Sequence, residues 1–101
     1  MYSVRSESPE KISLSINDLV KYLSERYGGE YARVGLSVVW SLENVMIKTV
    51  IESVSAPHTL LPGLYEFKLI VEGVNGEKVA ELSKAAVTIF RKYELLINLS
   101  G

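Results

Sequence analysis

The sequence predicts an α+β fold, a two-layer sandwich in which an antiparallel sheet carries two helices on one face. Three observations lead there. Tyr65, Phe67, Leu69 and Val71 alternate with Glu66, Lys68, Ile70 and Glu72, the period of a half-buried strand. Val79, Leu82, Ala86, Ile89, Phe90 and Tyr93 fall on one side of a helix wound at about 100° per residue, with Glu81, Lys84, Thr88, Arg91 and Lys92 opposite. A second stripe, Leu19, Val20, Leu23 and Tyr27, follows Asn17-Asp18 and stops at Gly28-Gly29. Two such stripes need an apolar sheet face to cover them.

Taken in order, residues 1–10 read as a flexible lead-in, and 11–101 as one α+β domain. Ile12, Leu14 and Ile16 alternate with Ser13 and Ser15, which predicts a short strand over 11–16. The helix over 18–27 is capped by Asn17 or Asp18. Arg33–Leu42 reads as one strand, with Val34, Leu36, Val38, Trp40 and Leu42 on one face and Arg33, Gly35, Ser37 and Ser41 on the other. Trp40, the largest apolar body, belongs at the centre of the core, together with Phe67 and Leu82. Residues 44–55 are rich in β-branched side chains, which favours a strand hairpinned through Leu42-Glu43-Asn44. Asn44, Lys48 and Glu52, spaced by four, would also suit a helix face. Ser55–Gly63, with Pro57 and Pro62, is a loop.

Asn75-Gly76 carries two signals. It is a strong hairpin turn, and Asn75 is also a good helix cap with Glu77 in the first turn. Lys78–Ala86 lacks alternation and is built from helix formers, so a helix over 77–92 is predicted. Glu94-Leu95-Leu96-Ile97-Asn98-Leu99 is apolar on both parities and either ends that helix or forms a last strand. The predicted order is β-α-β-β-β-α with an optional final β.

Composition narrows the chemistry. The chain has 101 residues, 48% hydrophobic and 23% charged, with a net charge of −1. The charges are mixed, so no strong field draws nucleic acid or anionic lipid. There is no cysteine, which excludes disulfides, thiolate nucleophiles and thiolate metal sites. The absence of glutamine and cysteine points towards a thermophilic source, while the charged fraction does not. The polar start lacks the apolar core of a signal peptide, and no run approaches a membrane span, so a cytoplasmic location is expected.

No catalytic or metal constellation stands out. His58, the only histidine, has no ligand or base partner nearby in sequence and reads as a solvated loop residue. Asp18 is explained as a cap, and Glu66 and Glu72 as the outer face of a strand. The glycines match no phosphate-cradling spacing. No enzyme activity, cofactor or metal is expected. Tyr22, Tyr27 and Tyr31 gather near the end of the first helix, either as an interface or as staples onto the sheet.

Three local resemblances bear on function. Leu61–Leu69, Asn75-Gly76 and Val87-Thr88-Ile89, with Trp40 in Ser-Val-Val-Trp, resemble the closing strands of immunoglobulin-like and fibronectin type III domains. That likeness implies a β-sandwich with an N-terminal helix and an adhesion or scaffolding role. The order helix, three strands, helix is similar to that of double-stranded-RNA-binding domains, which implies RNA contact through the second helix. Here that helix opens Glu77-Lys78-Val79-Ala80-Glu81, without the basic cluster of those domains. Leu82-Ser83-Lys84-Ala85-Ala86-Val87 resembles the closing helix of the small dimerising subunit of the KEOPS tRNA-modification complex. It departs at Thr88 and Ile89, where that family has asparagine and serine.

The expected role is a non-enzymatic interaction or assembly module. Its partner is a second copy or another protein subunit, met through Tyr93, Leu95, Leu96, Ile97 and Leu99. The alternatives are an RNA-binding or acidic-partner site on Lys84, Arg91 and Lys92, and the immunoglobulin-like reading.

Overall fold

The computed structural model describes residues 1–55 and 64–99. Most of the expected Ser55–Gly63 loop, His58 included, lies outside the described residues. The elements are β1 (Tyr2–Ser6), α1 (Pro9–Arg26), β2 (Glu30–Val34), β3 (Ser37–Leu42), β4 (Val45–Ser55), β5 (Leu64–Gly73), α2 (Gly76–Lys92) and β6 (Leu96–Leu99). The six strands form one antiparallel sheet in the order β2-β3-β4-β5-β1-β6. Both helices cover one face, giving the α+β sandwich.

The core lies between that face and the helices. Trp40 and Phe67 come from the sheet, and Ile12, Ile16, Leu19 and Leu23 from α1. Leu82, Ala86 and Phe90 come from α2. Phe67 and Phe90 meet edge to face with ring centroids 5.8 Å apart. Trp40, Phe67 and Leu82 are buried in this one cluster, as the hydrophobic pattern predicts.

β5 keeps its expected faces: Phe67 and Leu69 are fully buried, while Glu72 is exposed. Residues 77–92 are helical. Asn75 Oδ1 accepts from Glu77 N at 3.0 Å and Lys78 N at 3.2 Å, so the cap prevails over the hairpin reading. That helix removes the immunoglobulin-like alternative, which needed a strand there. β3 and β4 form the expected hairpin around Glu43 and Asn44, with Leu42 opposite Val45.

Three expectations are corrected. Residues 1–10 are not a lead-in: Tyr2–Ser6 is β1, inserted between β5 and β6, with Val4 completely buried. Residues 11–16 are not a strand but part of α1. Ser8 caps that helix by accepting from Lys11 N at 3.2 Å, and Pro9 fills the first turn, where its missing N–H costs nothing. Ile12 and Ile16 are buried one turn apart while Leu14 is exposed. Asp18 therefore sits inside α1 and caps nothing. Finally, 33–42 is two strands. Val34 lies opposite Ser37, leaving Gly35 and Leu36 as a two-residue turn with Gly35 at φ +60. The turn swings Val34 into solvent and puts Arg33 on the helix-covered face, opposite Val38.

Candidate functional site

The tail is positioned by the end of α2. Glu94 N donates to Arg91 O at 3.0 Å and Leu95 N to Phe90 O at 3.3 Å, with Glu94 in the left-handed region at φ 64. This is a Schellman closure, in which the residue after the turn packs back on the last helical turn. Leu95 and Phe90 are both buried. Leu95, expected at an interface, belongs to the core for that reason.

Beyond Leu95 the chain becomes β6, which pairs with β1 on one side only: Val4 lies opposite Ile97 and Arg5 opposite Leu96. Among the described residues its other side is a free edge of the sheet. Alternation then assigns the tail residues to faces. Leu96 shares the open face with Arg5 and is 67% exposed; Leu99 shares the helix-side face with Tyr2 and is 75% exposed. Ile97 packs partly against the core. Of the five expected interface residues, the structure therefore brings Leu96 and Leu99 to the free surface and Leu95 inside. Ile97 lies between these extremes.

Tyr93 is the C-cap of α2, and its hydroxyl donates to Asp18 Oδ2 on α1. That bond, with burial and the carboxylate charge added, raises the Tyr93 phenol above its ordinary range. Tyr93 thus ties the helices together at the base of β6. Tyr27 does the same at the opposite end of the helix pair. It packs against the core and donates to Glu81 Oε1 at 2.7 Å, with the Lys78 ammonium 4.2 Å from its ring centre. Tyr31, on β2 opposite Trp40 of β3, is 56% exposed.

The expected cationic stripe is divided. Lys84 and Arg91, two turns apart on α2, are both exposed. Lys92 turns towards α1 and lies 3.9 Å from Asp18. Among the described residues, no three His, Asp or Glu side chains are placed to hold a metal ion. No described helix is long and apolar enough to cross a membrane. Comparison with protein-family models, with curated proteins and with solved structures finds no match to this chain.

Proposed function

We propose that this protein is a non-enzymatic assembly module that pairs with a second copy of itself through the free edge of β6. One observation carries the reading: Leu96–Leu99 is an edge strand without a charged residue, and it exposes a leucine on each face of the sheet. Open strand edges of this kind pair with other chains unless charge, proline or a covering element prevents it. Antiparallel pairing of β6 with its copy about a two-fold axis would satisfy both edges at once. Four residues alone cannot supply the roughly 1,000 Å² that a stable interface buries, so the neighbouring surface of α2 joins the contact. A different protein subunit offering an extended segment is the other occupant such an edge accepts.

Light scattering coupled to chromatography tests this. The wild type is expected to run as a dimer, and Leu96→Lys combined with Leu99→Lys as a monomer with an unchanged circular dichroism spectrum. Ile97 is a poorer probe, because its side chain contributes to the core. A wild type that stays monomeric at its highest soluble concentration defeats the proposal of self-pairing.

A further inference from the structure

At the opposite edge of the sheet a cleft of about 380 Å³ separates α1 from β2. Small-ligand sites begin near this size, at about 300 Å³. Arg33 lies on its β2 side, and three residues, two on α1 and one in the β2–β3 turn, hold its guanidinium. Nε donates to Gly35 O at 2.9 Å, Nη2 donates to Ser13 Oγ at 2.9 Å, and Nη1 donates to Asn17 Oδ1. All three acceptors are neutral. The guanidinium keeps N–H groups that these bonds do not use. Lys21 lines the same cleft from α1. Among the described residues neither cation has a carboxylate within ion-pair distance, whereas Arg5, Lys11, Lys78 and Lys92 each have one.

We propose that this cleft binds an oxyanion, a carboxylate or a phosphate, carried on a flat apolar body. A guanidinium fixed in place by neutral acceptors keeps its full charge and presents its remaining donors in a planar fork, which suits either oxyanion. Lys21 adds a second positive charge. The exposed ring of Tyr31 forms a wall on which a flat group can lie. Glu25 is the one carboxylate of the lining, one helical turn beyond Lys21. Its charge opposes the anion and sets the direction in which the ligand enters.

NMR titration of the full chain with phenyl phosphate, benzoate and neutral benzyl alcohol tests the site. Both anions are expected to shift the amide signals of Lys21, Tyr31 and Arg33, and benzyl alcohol to leave them in place. The tighter of the two anions identifies the source as phosphate or carboxylate. Arg33→Gln should weaken binding by about tenfold or more, the loss expected for a charged hydrogen-bonding fork. Lys21→Gln, on an exposed helix face that folding does not need, should weaken it by a few-fold, and Glu25→Gln should tighten it. The proposal is overturned if neither anion moves these signals. It is overturned equally if benzyl alcohol moves them as much, or if Lys21→Gln and Glu25→Gln both leave the affinity unchanged.

Discussion

Each edge strand of the sheet is entered from the C-terminus of a helix, through a turn that begins at a tyrosine. α1 ends at Tyr27 and passes through Gly28 and Gly29, both at φ +80, into β2. α2 ends at Tyr93 and passes through Glu94, at φ 64, and Leu95 into β6. Each tyrosine donates to a carboxylate on the other helix, Tyr27 to Glu81 and Tyr93 to Asp18. The two turns do the same work with different residues. The first uses glycine at the left-handed positions and is closely covered: Trp40 Nε1 donates to Gly28 O at 2.9 Å. The second places a glutamate in the left-handed region, where a side chain costs about 1–2 kcal/mol. Its hydrogen bonds and the Leu95–Phe90 packing hold it there. The strands differ in the same sense. β2 carries Glu30 and Arg33, and Arg33 is fastened to α1. β6 carries no charge and no such fastening. A charged, clamped edge resists pairing with another chain and an uncharged one invites it, which is why association is assigned to β6 and ligand binding to the cleft beside β2.

The largest expected effect comes from breaking the glycine turn. A Cβ on Gly29 would lie 2.6 Å from Ser41 O and 3.0 Å from the Trp40 ring, on a backbone that side chains rarely adopt. Gly28 has the same φ with open space around it. Gly29→Ala should therefore cost at least about 2 kcal/mol, against about 1 kcal/mol for Gly28→Ala. Urea unfolding of the two variants measures the difference. Equal midpoints would show that the close contact with β3 is not what fixes the entry to β2.

A smaller effect of opposite sign is expected at the other turn. Glu94→Gly relieves the left-handed strain but adds backbone freedom to the unfolded chain, a net gain of about 0.5–1 kcal/mol. The Lys11–Glu94 ion pair, at 3.6 Å and largely in solvent, takes little of that back. In a chain of this size the gain raises the melting temperature by roughly 2–8 °C. Glu94→Asn, which tolerates the same backbone without the charge, should lie between wild type and Glu94→Gly. A lower melting temperature for Glu94→Gly would mean that the turn is not strained.

These turns also mark where the sequence is legible. β5 follows from a clean alternation, and α2 and the β3–β4 hairpin follow once helix-forming composition and β-branched content decide between two readings that the pattern leaves open. Leu96 and Leu99 are readable as apolar on both faces. The start of α1 is obscured because Ile12 and Ile16 satisfy two periods at once, a strand's and a helix's. Ser15 completes the disguise: it is buried, which a serine tolerates here because its hydroxyl donates to Ile12 O at 2.7 Å. Ser8-Pro9 is the signal that could have revealed the helix start. Leu95 is misread because the left-handed position before it holds glutamate instead of the glycine that announces a helix stop. Arg33 is misplaced because a single glycine, Gly35, turns the chain inside a run that alternates like one strand. That reversal puts Arg33 on the helix-covered side of the sheet and creates the cleft.

The smallest expected effect separates the two tyrosines themselves. Both phenols are raised above their ordinary value of 10.0, for different leading reasons. Burial comes first for Tyr27, ahead of its bond to Glu81. The bond to Asp18 comes first for Tyr93. A raised folded-state pKa means that folding favours the protonated phenol. The associated stability is fully present below about pH 10 and is lost as pH rises through the higher folded value. Mild alkaline destabilisation is therefore expected above pH 10 and none from these groups at neutral pH. Asp18→Ala should return Tyr93 towards its ordinary titration, because it removes both the hydrogen bond and the charge. Glu81→Ala should move Tyr27 less, since burial remains. Tyrosinate absorbance, followed from neutral to alkaline pH in the wild type and each variant, reads both shifts directly. The larger change belongs to Asp18→Ala; equal changes in the two variants, or none in Asp18→Ala, would show that the two helix-end tyrosines are held alike and that the contrast between the edges stops at the turns.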